Sequence, residues 1–522
     1  MPKIEFIPTG VPGLDDVLGG GLPDLSFNIL SGTPGSGKTT LAHQIVFGNA
    51  TVERPALYCT VVGEPPFKMF RHQQQFDFYD VEKVGRAVHF RNFATEVAEN
   101  DFEGILEAIL GQVEELEPGL VVVDSFPSAV FTSGRGRSGK NGKMYGFMQQ
   151  LSNRMATWEA TSFLLGEFGA ADADADPVFA VADSLLWLRN VEADETRVRK
   201  LEVAKMRGGA ELPGQHLYRI SARGVRIYPR LIRPLPERAP ALGDTPRLST
   251  GVAAVDAMTG GGFQPGDVVM LSGPSGSGKS LFGMHFAKAA LEAGEAVVFA
   301  LFEETVDRYI LRAAALGCDL VAAQEEGKAL LLRRNPLDLG LDETLGEIRD
   351  AVVKTGARRV VLDSLTGLQI SAYGAHELKL LRQAVGRVVE VLSEAGVTVL
   401  ITAELQQASE VLSFTPHGTS YLADNLIIQR YVEIEGHLEA VMAVVKMRRS
   451  SHSRAFHRYG ITEKGLVVGE PLKHLQGILS GVPRVVGEPM RRDGDWEEVE
   501  ALNGGSNRTG DVPSAERRED GG

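Results

Sequence analysis

Cysteine is nearly absent: Cys59 and Cys318 are the only two in 522 residues, and they stand far apart. A disulfide framework and a cysteine-rich zinc site are both excluded, and a reducing cytoplasm is the natural compartment. No run of eighteen or more apolar residues occurs, so no membrane-spanning helix is expected. The opening MPKIEFIPTG lacks the apolar stretch of a signal peptide. Positive charge is in deficit, with 54 Lys+Arg against 68 Asp+Glu and a net charge of −14. That balance argues against a protein whose main partner is nucleic acid, because phosphate neutralisation needs clustered Lys and Arg. What remains is an ordinary soluble composition, 43% hydrophobic and 23% charged. At roughly 100–200 residues per domain, the length suggests about two to four domains.

The chain repeats itself. Thr9-Gly10-Val11 returns as Thr250-Gly251-Val252, and Leu30-Ser31-Gly32 as Leu271-Ser272-Gly273. Ala182-Asp183 returns as Ala423-Asp424, and Lys205-Met206-Arg207 as Lys446-Met447-Arg448. Each pair is offset by 241 residues (251 − 10 = 241). A period this long marks a duplicated domain, not a solenoid unit. Repeat one spans 1–235 and repeat two 247–489, joined by a proline-rich stretch between Pro229 and Pro246. Residues 490–522 are Gly-rich, charged and poor in apolar runs, which predicts a disordered tail.

Within each repeat, short apolar runs alternate with helical patterns. Phe27–Ser31, Ala56–Val62, Leu120–Asp124 and Ser162–Gly166 are expected strands of repeat one. Val268–Ser272, Ala296–Phe302, Val360–Asp363 and Val397–Thr402 are their counterparts in repeat two. Such near-continuous apolar strands predict an α/β fold whose mainly parallel sheet has helices on both faces. Ser184–Val191 with Arg199–Lys205, and Asn425–Val432 with Val441–Met447, read as added antiparallel strands.

Two segments carry a phosphate-loop pattern, G-x-x-x-x-G-K-[ST]. One is Gly32-Thr33-Pro34-Gly35-Ser36-Gly37-Lys38-Thr39, followed by Thr40. The other is Gly273-Pro274-Ser275-Gly276-Ser277-Gly278-Lys279-Ser280, followed by Leu281. Glycines let backbone N–H groups turn inward around phosphate oxygens. Lys38 and Lys279 bring a charge to the β- and γ-phosphates, and the Thr39 and Ser280 hydroxyls are the expected Mg²⁺ ligands. Each loop follows an apolar strand and opens a helical pattern, so the helix N-terminus faces the anion. Asp124 and Asp363, each ending an apolar run, are the expected Walker B acids that orient the Mg²⁺ shell. A helix N-cap is the alternative role, since Ser125 and Ser364 follow. Glu303 and Glu304 close a strand of repeat two, where a carboxylate can polarise a water or hydroxyl that attacks the γ-phosphate. Repeat one has Gly63 and Glu64 there, so one of the two acids is missing.

This order of motifs, duplicated, resembles the KaiC family of circadian-clock ATPases over nearly the whole chain, to about residue 487. The stretch from Ala423 to Gly436 and the segment Gly477–Pro483 are especially similar to that family's second domain. The resemblance implies two tandem RecA-like P-loop domains in a homo-oligomeric, hexameric double ring, with ATP and Mg²⁺ at subunit interfaces. It implies that Glu303, with Glu304 beside it, activates a hydroxyl for autophosphorylation. It implies that Lys205, Arg207, Lys446 and Arg448 reach a neighbour's nucleotide; a structural ion pair inside the subunit is the alternative. It also implies KaiB-like or other signalling partners. The family's phosphorylated serine matches Ser420, with Thr419 adjacent, and Tyr421 stands where the family has a threonine. Repeat one has Phe179-Ala180 there and offers no acceptor hydroxyl.

Two other readings stay open at this point. A RecA-like DNA-dependent ATPase, a recombinase or helicase, is suggested by the basic loop from Ser133 to Lys143, which could track phosphates inside a ring. A nucleotide-dependent scaffold with little catalysis is suggested by Gly63 in repeat one.

Overall fold

The computed structural model describes residues 4–61, 66–93, 102–126, 140–167, 177–193, 196–230, 246–334, 341–370, 375–405, 421–434, 436–473, 475–478 and 484–486. The chain divides into two compact units, Met1–Arg233 and Pro234–Gly522. The expected tail 490–522, residues 133–139 of the basic loop, Gly63, Glu64, Thr419 and Ser420 lie outside the described residues, whereas residues 140–143 of that loop open the helix Lys140–Met155.

In the first unit a two-stranded pair, β1 (Phe6–Ile7) and β2 (Leu22–Pro23), precedes a nine-stranded sheet. Its strands are β3 (Phe27–Gly32), β4 (Ala56–Thr60), β5 (Val88–Asn92), β6 (Leu120–Phe126), β7 (Thr161–Gly166), β8 (Ser184–Ala193), β9 (Thr196–Met206), β10 (Gln215–Ser221) and β11 (Gly224–Tyr228). Their spatial order is β11-β10-β9-β8-β3-β7-β6-β4-β5. Strands β5 to β8 along this order are parallel, and β9, β10 and β11 continue the sheet antiparallel.

The second unit repeats the plan. Its sheet runs β14-β13-β15-β16-β12-β17-β18-β19-β20. The strands are β12 (Val268–Gly273), β13 (Val297–Leu301), β14 (Ala329–Arg333), β15 (Arg359–Asp363), β16 (Thr398–Glu404), β17 (Asn425–Ile434), β18 (His437–Met447), β19 (His457–Thr462) and β20 (Gly465–Pro471). A short pair, β21 (Leu475–Gln476) with β22 (Arg484–Val485), follows.

The central strands read as unbroken apolar runs because helices cover both of their faces. All five residues of β4 are buried. On one face Leu30, Tyr58 and Val122 pack against Leu41, Ile45 and Val46 of the helix Lys38–Asn49. On the other, Ile29, Leu57 and Val123 meet Ile105, Ile109 and Leu151. In the second unit Leu271, Phe299 and Val361 pack against Phe282 and Phe286 of the helix Lys279–Glu292.

Six strands of the two large sheets escaped the sequence reading: the parallel edges β5 and β14, and the outer pairs β10 with β11 and β19 with β20. Strand β5 reads Val-His-Phe-Arg-Asn, with one exposed and three half-exposed positions, so it has no continuous apolar signature. An edge strand has one free side to solvent and tolerates that mixture. The repeated Ala-Asp has a structural task. Asp183 Oδ2 accepts from the Phe27 N–H at 2.9 Å, and Asp424 Oδ2 from the Val268 N–H at 3.1 Å, fixing the start of the strand that leads to each phosphate loop.

One buried charge organises the second unit. Arg359, at the start of β15, is 2% exposed. Its Nε donates to Glu295 at 2.8 Å, and its Nη1 donates to the carbonyls of Ser249 at 2.7 Å and Phe286 at 3.2 Å. Its guanidinium also lies 4.8 Å from the centre of the Phe286 ring.

Candidate nucleotide sites

Strand β3 ends at Gly32, and five residues separate it from the helix Lys38–Asn49; β12 and the helix Lys279–Glu292 repeat this spacing. The turn between them needs positive φ: Gly35 and Gly37 stand at +74° and +94°, Gly276 and Gly278 at +78° and +88°. Side chains rarely adopt that region, and Gly37 and Gly278 are also the N-caps of their helices. Lys38 Nζ rests on the carbonyls of Gly32 at 2.7 Å and Thr33 at 3.2 Å. Lys279 Nζ rests likewise on Gly273 at 3.0 Å and Pro274 at 2.7 Å. Burial lowers the pKa of both lysines, opposed by Glu167 and Asp124 in one unit and by Glu404, Asp363 and Glu303 in the other.

Both Walker B candidates lie beside the loops, but different neighbours hold them. Asp124 Oδ2 accepts from Thr39 Oγ1 and from the buried Tyr58 hydroxyl, each at 2.8 Å. Burial raises the Asp124 pKa, and these hydrogen bonds together with Lys38 work against the rise. In the second unit Phe299 replaces Tyr58, and Asp363 Oδ1 instead accepts from Thr402 at 2.6 Å. The bond following each aspartate is cis. A hydroxyl beside one carboxylate is a hard-oxygen donor set of the kind Mg²⁺ takes while keeping waters and substrate phosphates as its other ligands. Among the described residues no group of three or more His, Cys, Asp or Glu could hold a metal ion without such help.

A cleft of about 340 Å³ in the second unit brings together Gly276, Gly278, Lys279, Ser280, Leu281, Asp363 and Glu303. Ser364 donates to Glu303 at its wall. Glu304 accepts from Arg312, another residue lining the cleft, at 2.8 Å. In the first unit a space of about 570 Å³ is lined by Thr39, Thr40, Asp124 and Ser125 together with Met69, His72 and Gln73. Sheet register refines the comparison of the two units. Thr60 pairs with Asp124 and Leu301 with Asp363. Val62, Gly63 and Glu64, which follow on in the first unit, lie outside the described residues.

The Lys-Met-Arg segments lie at the opposite end of each sheet. Met206 pairs with Ser184, which pairs with Asn28, four residues before Gly32 on β3. Met447 pairs with Asn425, which pairs with Val269, four residues before Gly273. At about 3.3 Å per residue, each lies roughly 13 Å along the sheet from the start of its own phosphate loop. Lys205 Nζ donates to the carbonyls of Phe179 at 2.9 Å and Ala180 at 3.1 Å, and Lys446 Nζ to that of Ala423 at 2.6 Å. Arg207 and Arg448 pair with Asp183 at 3.7 Å and Asp424 at 3.5 Å, so the internal ion pair does form. Both guanidiniums nevertheless keep more than half of their surface exposed, at 58% and 53%.

Several site residues were missed in the sequence: Tyr58, Thr402, Ser364, Arg312, and the duplicated Glu167 and Glu404. The last pair carried a usable signal, a glutamate closing the fourth expected strand in both repeats (404 − 167 = 237).

Two phosphate loops, each between a central parallel strand and a helix N-terminus, define a tandem RecA-like P-loop nucleoside triphosphatase. The family model described as "ATPase: KaiC" matches residues 7–232 and again 248–473. The chain belongs to the KaiC family of ATPases. It is 28% identical over 489 residues to the circadian clock oscillator protein KaiC of Thermostichus vulcanus, covering 92% of each chain. It is 27% identical over 511 residues to the circadian clock protein KaiC3 of Synechocystis sp., covering 96% of this chain and 97% of that one. Among the described residues no helix is long and apolar enough to cross a membrane.

Lys38→Ala and Lys279→Ala should each weaken one nucleotide site and spare the other. A charged hydrogen-bond donor is worth about 1.5–3 kcal/mol, roughly 10- to 100-fold in affinity. Bound-nucleotide stoichiometry at limiting Mg-ATP checks this; two full sites in both variants would refute it.

Proposed function

We propose that this KaiC-family ATPase is a cytoplasmic signalling protein that binds Mg-ATP in both units and assembles into a hexameric homo-oligomeric ring. It hydrolyses ATP slowly and autophosphorylates in the second unit as a serine/threonine kinase. The observation that carries the ring is the separation of Lys205, Arg207, Lys446 and Arg448 from their own loops. Cations placed at the far end of a sheet serve a nucleotide held by another copy, and charge supplied in trans stabilises a transferring phosphoryl group. The divalent ion, when bound, neutralises charge on the β- and γ-oxygens; Ser280 with Asp363, and Thr39 with Asp124, would hold it.

Phosphoryl transfer belongs to the second unit. The Ser420 oxygen attacks the γ-phosphorus, the bond to the β,γ-bridging oxygen breaks, ADP leaves, and Glu303 takes the hydroxyl proton. Thr419 is the fallback acceptor. What supports the assignment is that Glu303 shares a cleft with Lys279, Ser280 and Asp363, whereas the sequence of repeat one, with Gly63 and Glu64, lacks one of the two acids. Phosphorylation would add about −1.5 to −2 charge at the interface and alter its packing or its surface for a KaiB-like partner.

Intact-mass analysis with peptide mapping after incubation in Mg-ATP, run beside light scattering with and without nucleotide, tests both halves. One phosphate on the peptide holding Ser420, and assembly promoted by ATP, are expected. No mass gain after long incubation would overturn the kinase; a strict monomer in saturating Mg-ATP would overturn the ring.

A further inference from the structure

Each phosphate loop is tied from behind by a tyrosine on an outer antiparallel strand. Tyr218 of β10 donates its hydroxyl hydrogen to the carbonyl of Ser36. Tyr459 of β19 donates to the carbonyl of Ser277 at 2.7 Å. The two are 241 residues apart (459 − 218 = 241), so the contact is duplicated with the domain. Both rings are buried, at 1% and 2% exposure.

The tied carbonyl matters because of what shares its peptide plane. In a trans peptide the C=O and the following N–H point in opposite directions. Holding the Ser36 carbonyl back toward β10 therefore turns the Gly37 N–H forward, into the cradle ahead of Lys38. The same holds for Ser277 and Gly278. Glycine at φ +94° and +88° leaves this plane free to rotate unless something fixes it.

We infer that Tyr218 and Tyr459 are positioning residues that hold an amide of each phosphate loop in its anion-binding orientation. The inference rests on the two loops being nucleotide sites. The two tethers differ in redundancy. Ser277 Oγ also donates to Gln429 of β17 at 2.9 Å, whereas Ser36 Oγ is buried without a hydrogen-bond partner among the described residues. The first loop therefore depends more heavily on its tyrosine than the second.

Tyr218→Phe and Tyr459→Phe delete one oxygen and keep the ring. Calorimetric titration of the full chain with the magnesium complex of a non-hydrolysable ATP analogue reads both sites. Tyr218→Phe should weaken one site about tenfold and leave the other unchanged; Tyr459→Phe should weaken the opposite site by about threefold. Inorganic tripolyphosphate, which has neither base nor ribose, should lose affinity by the same factors, an effect that general loosening of the hairpin would not confine to phosphate. Wild-type affinity at both sites in both variants overturns the inference while leaving the nucleotide sites intact. A wild-type chain that binds neither ligand overturns the nucleotide reading itself, and this inference with it. Losses that appear with the analogue but not with tripolyphosphate also overturn it.

Discussion

Glu303→Gln should lower phosphate incorporation by about 10²- to 10⁴-fold, the usual contribution of a positioned general base, while ATP remains bound. Glutamine matches the shape of glutamate and can still accept from the Ser364 hydroxyl that contacts Glu303 in the wild-type protein. It cannot take up the proton that leaves the acceptor hydroxyl. The loop that grips the phosphates, with Lys279 on the carbonyls of Gly273 and Pro274, is untouched. Radiolabel incorporation and filter-retained nucleotide, measured on the same preparation, separate these two quantities. Incorporation at the wild-type rate would move the base elsewhere, and Glu404, another carboxylate of that cleft, would be the first residue to test.

Arg359→Ala should destabilise the second unit by about 3–5 kcal/mol, the range for removing one partner of a buried ion pair. The loss has three parts. Glu295, whose side chain is 14% exposed, would keep its charge without its partner. The carbonyls of Ser249 and Phe286 would lose the donor that links the chain before the first helix to the sheet. The ring of Phe286 would lose the cation above it. Replacing the pair together, Glu295→Gln with Arg359→Met, should recover much of the loss, because no unpaired charge stays buried. Scanning calorimetry is the suitable measurement, since two units need not melt together. A calorimetric trace in which Arg359→Ala shifts no transition would contradict the assignment.

Much of this molecule could be read without coordinates. The phosphate loops are legible because glycine at positive φ, lysine and a hydroxyl are required in a fixed local order. Asp124 and Asp363 are legible because a charge ends an otherwise apolar strand. The parallel sheet follows from runs such as Leu120–Val123 that do not alternate in polarity. The groups that hold those aspartates are not legible in this way. Tyr58 reaches Asp124 across 66 residues of sequence, and Thr402 reaches Asp363 across 39. Each sits between buried neighbours in its strand, where a hydroxyl looks like one more core residue.

The opposed ends of each sheet have a consequence for symmetry. A unit that receives cations at one end and supplies them at the other has a direction, like an arrow. The proposed contact is head-to-tail: the patch that gives cations and the patch that receives them are different surfaces of one copy, and such contacts either close into a ring or run on as an open string. Under the proposed contacts, each added copy satisfies one neighbour and leaves its own far end open. A linear string always retains one loop without outside cations and one set of cations without a loop. Only closure removes both ends at once, so incomplete assemblies carry unequal nucleotide sites and a closed one carries equivalent sites throughout.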